Sequence, residues 1–205
     1  DISLTTASGG ITVVSINAGS DNDVTLNAAG AITESGTDTV DVTADVLTAT
    51  ADGSITLDTR VASADLATAS AGDIDIDETD SIDLVSVTTT DGSITVDSGD
   101  TLTATLVDSS ATDNDMNDIS LATTSGDVAV LSINAGSVND VTLTATGAIT
   151  DAEDTVTDIQ GDVVSLTAGS TIGSANNILS LAGGSLITDS RVANGSQHLL
   201  EVDSI

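Results

Sequence analysis

The sequence predicts an all-β chain wound as a right-handed parallel β-helix, a β-solenoid of about 20 residues per coil. Three observations carry the prediction: a long internal repeat, a shorter beat inside it, and strict alternation of small aliphatic residues with polar ones.

The long repeat is read by sliding the chain 117 positions. "DISLTTASGGITVVSINAGSDNDVTLNAAGAIT" (Asp1–Thr33) then lies over "DISLATTSGDVAVLSINAGSVNDVTLTATGAIT" (Asp118–Thr150), with 24 of 33 positions identical. Farther on, "LDTRVAS" around Arg60 is echoed by "TDSRVAN" around Arg191 at an offset of 131, so the second copy carries an insertion. The chain divides into a first unit, residues 1–117, of about six coils, and a second, truncated unit, residues 118–205, in one continuous solenoid. Inside the first unit "GSITLD" (Gly53–Asp58), "GDIDID" (Gly72–Asp77) and "GSITVD" (Gly92–Asp97) follow one another at a nearly constant step.

Each step is written in strand residues. In "SITLD", Ile55 and Leu57 share one face while Thr56 and Asp58 take the other, the period-2 pattern of a half-buried strand. "DIDIDE" repeats it with Ile74 and Ile76 against Asp73, Asp75 and Asp77. Helical apolar spacing is sustained nowhere, and Gly, Asn, Asp and Ser gather between strands to supply turns. Steps this short leave no room for crossover helices, which selects a stack of coils.

Composition agrees. Hydrophobic residues make up 39% of the chain without one Phe, Tyr or Trp, so the core must collect many small burials, about 0.8 kcal/mol per methylene. A thin, long interior does that. Acidic residues number 33 against two basic ones, Arg60 and Arg191, for a formal net charge of −31. Two arginines cannot neutralise a phosphate backbone, which excludes nucleic acid as a partner, and an anionic membrane would repel the chain. No apolar stretch approaches the roughly 20 residues of a membrane helix. Cysteine is absent, so no disulfide staples the fold. The chain opens at Asp1, without Met or a signal-like segment, and reads as a processed form or an excerpt; the rod is expected to continue in both directions.

The cadence of "GSITL", "NDVTL" and "GAIT", with Asp, Thr and Gly in rotation, resembles the filamentous-haemagglutinin-like β-helical repeats of large secreted bacterial exoproteins. The resemblance spans essentially the whole chain. It implies export to the cell surface, often by two-partner secretion, and an adhesive or structural fibre as the product.

Candidate chemistry is carboxylate chemistry. Asp58, Asp77 and Asp97 each stand three residues after Ile55, Ile74 and Ile94, so stacked strands line them up on the outer surface. Unit charges about 5 Å apart repel by on the order of 1 kcal/mol even in water. Such a face calls for salt or for hard, oxygen-seeking cations, and weak Ca²⁺ or Mg²⁺ binding is expected there, with no cofactor required. The turn "DNDMND" offers Asp113 and Asp115 as a further metal candidate, although it lacks the glycine and distal glutamate of an EF-hand loop. No catalytic site is expected: sugar-stacking aromatics are missing, His198 has no nucleophile partner in sequence, and Arg60 and Arg191 suit local pairs with Asp58 and Asp189. Outward Thr56, Asp75 and Thr95 interrupt with charge the hydroxyl array an ice binder needs. The sequon Asn194-Gly195-Ser196 is given no weight.

The function expected is therefore a structural or adhesive segment of an extracellular, cell-surface fibre, self-assembling end to end into a homo-oligomer or filament. The alternative is a module binding a glycan or surface receptor, with recognition in the irregular stretch from Asp151 to Gln197.

Overall fold

A computed structural model describes residues 1–36, 40–152, 157–191 and 195–203. Among these, twenty strands join one sheet through parallel pairings, coiled into a β-solenoid of about nine turns. Among the described residues there is no helix. Each turn reaches the next mostly through backbone N–H and C=O groups, and each coil is thus the template for its neighbour.

The clearest spine is a ladder of aliphatic side chains running the length of the rod. Ile11 pairs with Ile32, then Ile55, Ile74, Ile94, Ile119, Val141, Val164 and Leu186 in succession. The turn these rungs define averages ~22 residues, slightly longer than the sequence suggests. The shorter figure belongs to the stretch around Gly53, Gly72 and Gly92, where turns are tightest. The step from Ile94 to Ile119 is the longest in the ladder, because the loop carrying "DNDMND" swells that turn. A second ladder runs from Leu4 through Leu26, Ala49, Leu66, Val87, Val107, Ile133 and Ile159 to Leu181. Ile82, Leu102, Val128, Ile149 and Ile172 line a third wall. Apart from the terminal Leu4 and Leu186, the members of these ladders are buried, and together they form one aliphatic core.

The two copies of the long repeat do not stack on the same wall. Ile2–Thr6 and Val24–Ala28 belong to the second ladder, while their counterparts Ile119–Thr123 and Val141–Ala145 belong to the first. The repeat is not a whole number of turns, so its second copy starts part of the way around the coil. The copies nonetheless fold alike, bond for bond. Ile2 N donates to Asp23 O as Ile119 N does to Asp140 O, both at 2.9 Å. Ile16 N donates to Asp41 O as Ile133 N does to Asp158 O, and Asp45 N to Asn22 O as Asp162 N to Asn139 O. Each wall asks only for alternating small aliphatics inward, so one sequence serves on either.

Glycines mark a corner where successive turns touch backbone to backbone. A Cβ on Gly72 would stand 2.5 Å from the carbonyl carbon of Gly53, and one on Gly92 would strike Gly72 O. Gly92→Ala is expected to cost about 1–3 kcal/mol, because backbone cannot yield as a side chain can. Urea denaturation checks it; an unchanged midpoint would refute the close approach.

Candidate functional site

The aspartates that the sequence places on one outer face are brought together. Asp58 pairs directly with Asp77, and Asp77 with Asp97. The column is longer than the sequence suggested. Glu34, Asp41 and Asp58 each place a carboxylate oxygen within 4.8 Å of the others. Asp41 is 2% exposed and its Oδ2 accepts the Asp58 N–H at 3.1 Å. Mutual repulsion and partial burial act on these groups. Burial raises the Glu34 carboxyl above its ordinary pKa, with Asp58 and Asp41 adding to it. Burial likewise raises Asp97, helped by Asp77, and Asp75, helped by Asp77 and Asp97.

Behind this face the inward series continues one residue further than the aliphatic pattern indicates. Thr59, Glu78, Ser98 and Thr123 pair in order and are all buried. Glu78 is 4% exposed; its carboxylate accepts from Thr59 Oγ1 at 2.8 Å, Val61 N at 3.0 Å and Asp80 N at 3.1 Å. Burial pushes its pKa up, and these donors only partly offset that. In the sequence Glu78 reads as part of an acidic turn, "DETD", so nothing local distinguishes it from its solvated neighbours.

Asp113 and Asp115 have separate surroundings. Asp113 reaches the loop of the following turn, accepting from Ser137 Oγ at 2.7 Å, Ser137 N at 3.1 Å, and Val138 N and Asn139 Nδ2 at 3.3 Å. The Ser137 hydroxyl, foremost among these donors, draws its pKa down. Asp115 borders an open groove of about 650 Å³ with Asp73, Asp91, Asn114 and Met116. Arg191 pairs with Asp189 at 3.2 Å, as the sequence indicates, but Arg60 reaches across to Asp80 on the next turn at the same distance rather than to Asp58. Both pairs are exposed and contribute little to stability. On the outer face of the isoleucine ladder, Thr12, Thr33, Thr56, Thr95, Ser120, Thr142 and Ser165 form a hydroxyl column that Asp75 alone interrupts. Asn194 of the sequon lies outside the described residues.

These features define a parallel β-solenoid repeat protein with a carboxylate-rich face. No protein-family model matches the chain, and neither a curated protein nor a solved structure matches it.

Proposed function

We propose that the chain is a rod-forming structural or adhesive segment of an extracellular bacterial surface fibre, of the filamentous-haemagglutinin-like kind its cadence resembles. The observation supporting this reading is the uninterrupted ladder from Ile11 to Leu186. Its hydrogen bonds point along the axis, so tension on the rod is shared by several bonds per turn before any one turn separates. At ~4.8 Å per coil, nine turns make a rod of roughly 43 Å, hydrated by its acidic surface. End-to-end association into filaments would use the same chemistry, since any sheet end left uncovered is a template for another strand. Single-molecule stretching tests the mechanical role. Extension along the axis should show high-force, stepwise release of ~22 residues per event; one low-force collapse would overturn it. Light scattering at high protein and salt concentration tests assembly, and persistent monomers would count against filaments.

Divalent cations belong to this reading. Carboxylates ~4.8 Å apart let one Ca²⁺, with bonds of about 2.3–2.6 Å, reach two neighbours along Asp58, Asp77 and Asp97. Millimolar Ca²⁺ is expected to raise the melting temperature over EDTA at fixed ionic strength. Equal melting temperatures would remove the cation and leave plain charge screening.

The groove beside Met116 supports a second reading, a module binding a glycan or surface receptor. Met116 is 78% exposed at its rim, unusual for the only methionine in the chain. Glycan-array binding lost on Met116→Ser would favour this reading over the passive rod.

A further inference from the structure

Two loops of the internal repeat share one backbone geometry but differ in what they hold. In the second copy, Asn134 Oδ1 accepts Gly136 N at 3.0 Å, Gly136 takes a φ of +91°, and Asn139 Nδ2 donates to Ala135 O at 2.8 Å. The first copy reproduces all three: Asn17 Oδ1 accepts Gly19 N at 3.0 Å, Gly19 has φ +84°, and Asn22 Nδ2 donates to Ala18 O at 3.0 Å. The left-handed glycine turns the next two N–H groups outward in the same sense, making a concave set of donors suited to an anion. In the second copy that concavity holds the Asp113 carboxylate, bound by Ser137 N, Ser137 Oγ, Val138 N and Asn139 Nδ2. Ser20, Asp21 and Asn22 supply the same donors in the first copy, and they face out at the Asp1 end of the rod, exposed.

We propose that the Ser20–Asn22 loop is a carboxylate-binding site whose ligand is an aspartate side chain on a solenoid turn stacked against the Asp1 end, a turn of the chemistry of residues 94–117. Asp21 stands where the second copy has Val138. The donor at that position is the backbone N–H, which the exchange leaves in place, and the exposed Asp21 carboxylate turns to solvent. The site stands on the internal repeat alone and holds whatever the rod is used for. The set of donors discriminates by geometry as well as charge: a carboxylate bridges two N–H groups and a hydroxyl at once, as Asp113 does.

The test fuses a copy of residues 94–117 directly ahead of Asp1, which reproduces the native junction of Asn117 with Asp118. Amide hydrogen exchange is followed by NMR, with Ser137 and Val138 as internal references. Fusion is expected to slow exchange at Ser20 and Asp21 about tenfold or more, the scale of a charge-assisted hydrogen bond. Asp113→Ala carried in the added turn should abolish that slowing while Ile2–Thr6 keep the protection gained from the new neighbour. Equal exchange at Ser20 and Asp21 with and without the substitution, with Ile2–Thr6 protected, would overturn the site; so would failure of Ile2–Thr6 to gain protection, since the partner would not then dock. In the unfused chain, Asp113→Ala should speed exchange at Ser137 and Val138, and no change there would remove the precedent.

Discussion

Ile74→Ala is expected to destabilise the rod by about 2–5 kcal/mol and to divide its unfolding into two transitions. Ile74 is fully buried between Ile55 and Ile94 in the first ladder, and its neighbours on either side belong to other turns. Truncation leaves a gap that the flanking rungs cannot close, because each is held in place by its own hydrogen-bonded strand. The wider consequence comes from the architecture. In a solenoid each turn touches only the next, so stability is a sum of turn and interface terms. Weakening both interfaces of one turn uncouples the coils before it from those after it. Urea denaturation followed by circular dichroism should show a second, earlier transition in the variant. A single transition with an unchanged midpoint would mean that the ladder is not the cohesive element.

Acidification from pH 7 toward the ordinary carboxylate range, about pH 4, is expected to raise the melting temperature. Glu34, Asp75, Glu78 and Asp97 all have carboxyl pKa values raised in the folded rod, chiefly by burial. A raised folded value means that the native state holds its protons more tightly than the unfolded chain does. Stability therefore falls as pH rises through the folded values, and the contribution is complete only below the unfolded values, about 3.9 for Asp and 4.3 for Glu. Asp113 works in the opposite sense. Its lowered value contributes stability at neutral pH that is lost as pH falls through that folded value, so the gain on acidification has a lower limit. Added salt should shrink the pH effect by screening the exposed members of the column. Glu78→Gln should shrink it independently of salt, since a neutral amide oxygen still accepts from Thr59 Oγ1 and Val61 N without a buried charge. Differential scanning calorimetry at pH 7 and at about pH 4 checks the sign, and a melting temperature that is flat or falls would contradict it.

The stacking of Asp58, Asp77 and Asp97 was legible because their strands share one short word, "GSITLD" or its variants, and register follows once the words are aligned. Asp41 was not legible. It is separated from Glu34 in the sequence and shares no word with it, yet both carboxylates meet Asp58 in space. Glu78 was missed for a related reason: its burial depends on Thr59 and Ser98 in neighbouring turns, and a charged residue beside Asp77 and Asp80 looks solvated. Arg60 shows the same limit, since Asp58 is near in sequence but Asp80 is near in space.

The sequence by itself determined that the chain is a stack of β coils with an aliphatic interior and an acidic exterior, because period-2 alternation and internal repetition are local properties that any parallel stacking must respect. Tertiary structure alone decided how many residues make a turn, which wall each repeat occupies, and which carboxylates lie buried. Those depend on the length of each corner loop, shortest in the isoleucine ladder between Ile55 and Ile74 and longest between Ile94 and Ile119. A loop's length sets where the next strand meets the template beneath it, and that meeting is a contact between turns which no single stretch of sequence contains.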